Sequence, residues 1–451
     1  MPMSVNAPTE RPGLVSFSEA FIYWLKLGFI SFGGPAGQIS MMHQELVEKR
    51  RWISEQRFLH ALNYTMVLPG PEAQQLATYI GWLMHGIWGG IAAGILFVLP
   101  SLFILSGLTW VYLAYGDVSM VQGVLYGIKP AVTAIVVFAA YRIGSRALKN
   151  YVLRAMALLA FVAIFALHIP FPYIVLIAGL IGYAGSHIAP DKFKVGGHQG
   201  DGKDSYGPAL IDDDTPVPAH ARFKWQRLLL YVAVGLLMWG AMMGLLMLNY
   251  AWEGTLTQMG AFFSKAALVT FGGAYAVLPY VYQGGVEQYA WLTGTQMIDG
   301  LALGETTPGP LIMVVAFVGF VGGWTKEIFG PEMLPLAGAA GACVATFFTF
   351  LPSFLFILIG GPAVEATRGD MKFTAPLTGI TAAVVGVVLN LAVFFAYHVL
   401  WPEGFDGKFE VFSAVIGAFA FLALFKFKVG IVQVIAACAC IGLGYSVLIT
   451  L

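Results

Sequence analysis

The sequence predicts an all-α polytopic membrane protein made of two homologous halves in inverted topology, with helices that break or re-enter inside the bilayer. Three observations predict it: a charge-poor, apolar composition, a set of rare residues recurring at fixed spacing, and basic residues that alternate between the loops of the two halves.

Apolar types make up 58% of the 451 residues and charged types 11%, whereas an ordinary soluble domain has about 25% charged residues. Mean hydropathy is +0.78. Apolar runs of about 20 residues, the length that spans a bilayer as a helix, recur at Ile87–Tyr115, Leu228–Tyr250, Leu336–Ile359 and Thr374–Val399. Net charge is zero, so nothing points to nucleic acid. Cys343, Cys438 and Cys440 lie in apolar runs and read as small buried hydrophobes. Residues i and i+2 do not share a helix face, so Cys438 and Cys440 make a poor redox or metal pair. Neither a metal nor a cofactor is expected. The N-terminus is polar as far as Ser16 and lacks the pattern of a secretory signal, so the first hydrophobic segment is expected to insert and stay.

The repeat is explicit. Ser31-Phe32-Gly33-Gly34 matches Thr270-Phe271-Gly272-Gly273 at an offset of 239, which also takes Lys26 to Lys265, Trp52 to Trp291 and Pro69-Gly70-Pro71 to Pro308-Gly309-Pro310. Extra residues around Trp324–Pro335 raise the offset to 252, at which Leu99-Pro100-Ser101 matches Leu351-Pro352-Ser353 and Gly127-Ile128 matches Gly379-Ile380. The expected organisation is a cytoplasmic tail (1–16), a first repeat (17–188), a flexible cytoplasmic linker (189–227), a connecting transmembrane helix (228–250) and a second repeat (251–451). The linker is drawn from the Gly-, Asp-, Pro- and Lys-rich stretch Gly185–Arg227. Its Asp212-Asp213-Asp214 run reads as a solvated face.

Lys and Arg collect on the cytoplasmic side of a membrane. Lys49, Arg50, Arg51 and Arg57 follow the first Phe-Gly-Gly, while the matching Gln283–Gln296 has no basic residue. Arg142, Arg146, Lys149 and Arg154 mark one loop, and its counterpart Phe394–Asp406 has none. The relation then reverses: Arg368, Lys372, Lys426 and Lys428 mark second-half turns whose first-half counterparts are uncharged by Lys or Arg. Such alternation is the mark of an inverted repeat. It places all 24 basic residues in the cytoplasm except Lys26, Lys129, Lys265, Lys326 and Lys408. With Arg57 inside and Asp117 outside, one of the two apolar stretches between them must enter and return. The Pro-Gly-Pro break is the candidate, because proline ends helices and glycine permits reversal. The Phe-Gly-Gly segment is a candidate for a second re-entrant hairpin.

Non-helical backbone at membrane depth is tolerated only where it is buried or lines a cavity, so the breaks are where a site belongs. A helix starting there presents free N–H groups and partial positive charge, a ready anion site. Starts follow Gly33-Gly34-Pro35, Gly272-Gly273, Pro69-Gly70-Pro71 and Pro308-Gly309-Pro310. Lys26 and Lys265 precede the Phe-Gly-Gly breaks inside apolar sequence, where a lysine is costly and a functional candidate; snorkelling to the interface is the plain alternative. Gln38, Asn63, Gln74, Gln75, Thr306 and Thr307 offer further donors, or interhelical hydrogen bonds. The set suits a compact tetrahedral dianion. Lys129, whose counterpart is Thr381, reads as less central.

The run Leu25-Lys26-Leu27-Gly28-Phe29-Ile30-Ser31-Phe32-Gly33-Gly34-Pro35-Ala36-Gly37-Gln38 resembles the N-terminal motif of the chromate ion transporter family, and the Pro-Gly-Pro with the duplicated Phe-Gly-Gly resembles its long, two-domain form. The resemblance runs from about Phe17 to the C-terminus, outside the linker. It implies chromate efflux and resistance at the inner membrane, linked to the proton gradient, with the oxyanion, protons and the lipid bilayer as partners; a homodimer is compatible with it. The second half departs from the motif: Ala274-Tyr275 replace Pro35-Ala36, and Leu311 replaces Glu72. Glu72 opens a helix, where the dipole favours a carboxylate. Glu305 closes a half-helix, where carbonyls and burial disfavour one, and is the better proton-coupling candidate of the two. Transport of sulfate or another oxyanion, an anion channel and a membrane chromate reductase are the alternatives. The last lacks a dinucleotide-binding glycine fingerprint, a haem-attachment motif and suitably spaced thiols.

Overall fold

The computed structural model describes residues 10–116, 118–193, 206–216, 218–271, 273–366 and 374–450. Asp117, Gly272, Arg368 and Lys372, with the first part of the linker, lie outside them. Among the described residues the chain is helical, with no strand and one isolated bridge between Ile53 and Ile211.

The first half runs α1 (Phe17–Ile30), α2 (Gly34–His43), α3 (Glu55–Val67), α4 (Glu72–Tyr115), α5 (Ser119–Ala147), α6 (Tyr151–Phe165) and α7 (Phe171–Ile188), with a single turn α8 (Pro190–Phe193) after it. The connecting helix is α9 (Trp225–Tyr250). The second half runs α10 (Thr255–Val269), α11 (Ala274–Tyr282), α12 (Gly294–Thr306), α13 (Val314–Thr325), α14 (Leu334–Ala366), α15 (Thr374–Leu400), α16 (Val411–Phe425) and α17 (Ile431–Thr450). Among the described residues, seven stretches, in α4, α5, α7, α9, α14, α15 and α17, are long and apolar enough to cross a membrane. This is a multi-pass membrane protein.

The halves repeat in detail. α2 and α11 each continue into a π-helical turn, Gln44–Lys49 and Gln283–Gln288. α3 and α12 are capped at equivalent positions, Ser54 accepting from the Arg57 N–H and Thr293 from that of Gln296; these caps satisfy first-turn donors. The element order is consistent with an inverted repeat.

α1 has 14 residues and α3 has 13. At 1.5 Å per residue each reaches only about 20 Å, too short to cross about 30 Å of hydrocarbon. Both lead into a break and the chain comes back. The end of the π turn after α2 returns to the start of α1: Arg50 donates to Glu19 at 3.3 Å, and its guanidinium stands over Trp52 at 5.0 Å and Tyr23 at 5.4 Å. Arg50 also holds the Glu45 carboxyl below its ordinary range through a hydrogen bond. α4 likewise comes back toward the start of α3 and then reverses. Non-helical angles at His85 and Gly86 fold its first stretch against the rest, and Gly86 has φ +64°. Both the Pro-Gly-Pro and the Phe-Gly-Gly segments are therefore hairpins within the first half. In the second half the end of α13 meets the start of α12, Thr325 Oγ1 donating to the Trp291 carbonyl at 2.8 Å.

Small residues let the spanning helices touch backbone to backbone, the packing that substitutes for a hydrophobic drive in lipid. Gly319 of α13 meets Gly341 of α14, and Gly127 of α5 meets Gly442 of α17.

Two expectations change. The described part of the linker is not free chain. Ile211 is buried beside Ile53, Arg57 donates to the carbonyls of Asp212 and Thr215, Ser54 Oγ donates to Asp213 and Arg11 pairs with Asp214. The aspartate run thus meets the start of α3 through its backbone, because buried Arg57 draws carbonyl acceptors to it, while Asp213 and Asp214 stay exposed as a solvated face. Of the cysteines only Cys438 is buried; Cys343 and Cys440 lie on exposed apolar helix faces.

Candidate functional site

The breaks of the two halves meet tip to tip. Gly70 N–H donates to the Thr270 carbonyl at 2.7 Å, and Gly309 N–H donates to the Ser31 carbonyl at 2.9 Å. Gly70 and Gly309 are equivalent positions, as are Ser31 and Thr270, so the two bonds are one bond repeated about a pseudo-two-fold axis. Each ties the Pro-Gly-Pro of one half to the residue that precedes Phe-Gly-Gly in the other. Both glycines hold positive φ, +127° and +101°, a region that costs an L-residue with a side chain. Pro69, Pro71, Pro308 and Pro310 flank them, ending α3 and α12 and leaving the N–H of α4 and of the turn before α13 to start afresh.

Around this crossing the amides are used for bracing. Gln38 Nε2 donates to the carbonyls of Ser31 at 3.1 Å and Gly309 at 2.6 Å, across the halves. Gln75 Nε2 donates to the Pro69 carbonyl at 2.8 Å. Gln74, Thr306 and Thr307 bond within their own helices, which spends the one O–H of each threonine and one of the two N–H groups of Gln74; Asn63 is half-buried on α3. The N–H groups of Gly70 and Gly309 are likewise consumed, so the free donors at the Pro-Gly-Pro helix starts are those that follow them.

Gly33 (φ +89°), Gly34 (φ +69°) and Pro35 open α2, and Gly273 (φ +92°) opens α11. The first-half Phe-Gly-Gly is the more accessible of the two: Phe32 and Gly33 are exposed, whereas Phe271 and Gly273 are half-buried. Lys26 and Lys265 sit on exposed faces of α1 and α10, and no carboxylate pairs with either among the described residues.

The two carboxylates converge on the start of α11. Glu72 Oε1 lies 3.9 Å from where a Cβ on Gly273 would stand. Tyr275 Oη donates to Glu305 Oε1, and both residues are buried. Tyr275 marks the place where the second half departs from the first-half motif, so the departure has a function that the sequence did not disclose: it caps Glu305.

Two further buried clusters escaped the sequence reading. Arg57 donates to Glu365 at 2.9 Å, and Tyr79 Oη donates to the other oxygen of Glu365 at 2.5 Å. Tyr112 Oη donates to Asp299 at 3.0 Å, with Lys129 Nζ 3.6 Å from the second oxygen. In each, a short helix of one half (α3 or α12) is tied to the last turns of the long helix of the other half (α14 or α4). Lys129 belongs to the second of these rather than to the central crossing.

Residues 18–183 and 257–443 match the family described as Chromate transporter. The chain belongs to the chromate transporter family. Within that family it is 32% identical over 447 residues, 97% of this chain and 95% of the relative, to a chromate transport protein of Pseudomonas aeruginosa. It is 30% identical to one of Cupriavidus metallidurans, over 94% of this chain and 92% of that one. A probable chromate transport protein of Synechococcus elongatus is 29% identical over 84% of each chain. Both halves are matched, so this chain has the long, two-domain form of the chromate transporter family. No solved structure matches.

Proposed function

We propose that the protein carries chromate across the bacterial inner membrane, in the direction of efflux and linked to the proton gradient, and so confers chromate resistance. The observation that supports this reading best is the paired contact of Gly70 with Thr270 and Gly309 with Ser31. It concentrates interrupted backbone, new helix starts and two carboxylates at one crossing in a protein whose surroundings are apolar. A tetrahedral dianion needs donors from several directions, and helix starts supply them without carrying a full charge. Lys26 and Lys265 supply the net positive charge near the breaks that a dianion requires.

In this reading the two halves are inverted in the membrane, with the N-terminus and the linker cytoplasmic. Glu305 is the proton-coupling residue in preference to Glu72. It lies beside the crossing and accepts a hydrogen bond from Tyr275, and an anionic carboxylate there repels a bound dianion, so proton and substrate occupancy are linked.

Radiolabelled chromate flux in proteoliposomes, with and without an imposed pH gradient and excess sulfate, tests the reading. Saturable, gradient-dependent chromate flux supports it. Sulfate carried in preference to chromate reassigns the substrate within the oxyanions. Flux that neither saturates nor follows the gradient identifies a channel.

A further inference from the structure

The Leu-Pro-Ser motif, repeated at Leu99-Pro100-Ser101 and Leu351-Pro352-Ser353, has so far taken no part in the site. Its serines follow prolines inside α4 and α14 and are 0% and 1% exposed. A buried hydroxyl in a helix commonly donates to the carbonyl four residues earlier. Thr109, Ser264 and Thr349 do so, at 2.6, 2.7 and 2.7 Å. Ser101 and Ser353 do not: neither Oγ has a hydrogen-bond partner among the described residues.

Both serines face the opposite half's Pro-Gly-Pro. A Cβ on Gly309 would stand 3.2 Å from Ser101 Oγ, and one on Gly70 would stand 2.6 Å from Ser353 Oγ. The missing side chains of these glycines are what leave the hydroxyls room. Ser31 Oγ and Gln38 Oε1, at the same crossing, are also buried without partners among the described residues. An unmade hydrogen bond in a buried place is costly, and each one in a native structure calls for an explanation. Here the unmade bonds fall on equivalent residues of two halves, both at the crossing.

We propose that Ser101 and Ser353 are hydroxyl donors to the transported oxyanion, one from each half, a role that rests on the transport reading above. Each O–H donates to one oxygen of the anion, which satisfies a hydroxyl that has no partner among the described residues. Hydroxyls address the oxygens and not the central atom, so the pair serves chromate and sulfate alike.

The test uses the full chain in proteoliposomes: wild type, Ser101→Ala, Ser353→Ala, the double variant, and Thr349→Ala as a back-bonded hydroxyl outside the crossing. KM for chromate is read from flux, and thermal unfolding of the purified protein is followed with and without chromate. A hydrogen bond to a charged group is strong enough that its loss is expected to raise KM about tenfold in each single variant, further in the double. Unfolding without chromate is expected at the wild-type temperature or above, because no bond is lost there. The rise in unfolding temperature that chromate induces is expected to shrink. Wild-type KM in both single variants, with the full chromate-induced rise, overturns the proposal. So does a variant that fails to fold or unfolds earlier without chromate, because the hydroxyl then serves the fold. An effect at one serine alone overturns the paired arrangement. Wild type inert toward chromate and sulfate overturns the transport reading itself; wild type active with unaffected serine variants overturns only this inference.

Discussion

The Arg57 guanidinium donates to Glu365 at 2.9 Å, with side chains only 3% and 1% exposed. The partners are 308 residues apart in sequence, one on the first short helix of the Pro-Gly-Pro hairpin and one at the end of α14. The bond therefore fastens the first half to the second. Removing one member of a buried pair leaves an uncompensated charge and costs about 3–5 kcal/mol, more than replacing both by apolar groups. Glu365→Ala is expected to lower the unfolding temperature of the detergent-solubilised protein markedly. Arg57→Met with Glu365→Leu is expected to lower it less. A single variant as stable as wild type shows that the pair does not fasten the halves.

Gly309 lends itself to a comparison with Gly330. Both hold positive φ, +101° and +87°. A Cβ on Gly309 meets Ser101 Cβ at 2.7 Å, whereas one on Gly330 has nothing within 4 Å. Positive-φ backbone of this kind costs a residue with a side chain about 1–3 kcal/mol, and Gly330→Ala is expected to cost that and retain flux. Gly309→Ala must also push α4 from the crossing, so it is expected to be less stable and to lose most chromate flux. Equal losses in the two variants mean that the close approach at Gly309 has no special weight.

The repeat and the breaks were legible in the sequence because proline and glycine act locally and leave a pattern. The offset of 239 that pairs Gly70 with Gly309 and Ser31 with Thr270 was readable. That the pairs are joined crosswise, each glycine to the other half's residue, was not, since spacing gives equivalence and not contact. Tyr275 was visible as a departure from the first half, but its bond to Glu305 needs α11 and α12 side by side. Arg57 was counted as a topological charge, and its partner Glu365 lies at the far end of the chain. The serines of Leu-Pro-Ser were seen as markers of the repeat; only the missing back-bond to their own helix separates them from Thr349, and no sequence pattern carries that.

The proposed topology rests on the charge alternation and is open to direct measurement. Glu48 and Glu287 are equivalent and exposed; Lys149 and Glu403 are exposed on loops that the repeat pairs. In a protein freed of its three native cysteines, single cysteines at Glu48 and Lys149 are expected to react with an impermeant maleimide only from the cytoplasmic side. Those at Glu287 and Glu403 are expected to react only from the other side. Labelling of Glu48 and Glu287 from one side rules out inverted halves.

Lys26 tests whether the exposed face of α1 lines a path for the anion. A lysine seven residues before Gly33 is buried in hydrocarbon unless water or an anion meets it, and such residues are costly. Lys26→Ala is expected to raise the apparent KM for chromate about tenfold or more, equivalent to about 1.4 kcal/mol of binding, and Lys265→Ala detectably but less. Lys26→Arg is expected to fall short of wild type, because the planar guanidinium is larger and less compact. Unchanged KM in Lys26→Ala shows the lysine snorkelling to the interface.

Coupling is expected to reside in Glu305. The carboxyl is buried at the end of α12, receives a hydrogen bond from Tyr275 and stands beside the Pro308-Gly309-Pro310 break. Glu305→Gln keeps an oxygen for Tyr275 and nearly the same volume, so the fold is expected to survive while the proton site is lost. The variant is expected to stop driving chromate against its gradient when a pH gradient is imposed, yet to exchange labelled for unlabelled chromate at equilibrium. Tyr275→Phe removes the donor but leaves the carboxyl, so coupling is expected to persist with a displaced pH profile. Glu72, near Gly273 but on the other half, is the control: Glu72→Gln is expected to remain coupled. Full pH-driven flux in Glu305→Gln, together with uncoupling in Glu72→Gln, would move the proton site to the first half. Full pH-driven flux in both would show that neither carboxyl carries the proton.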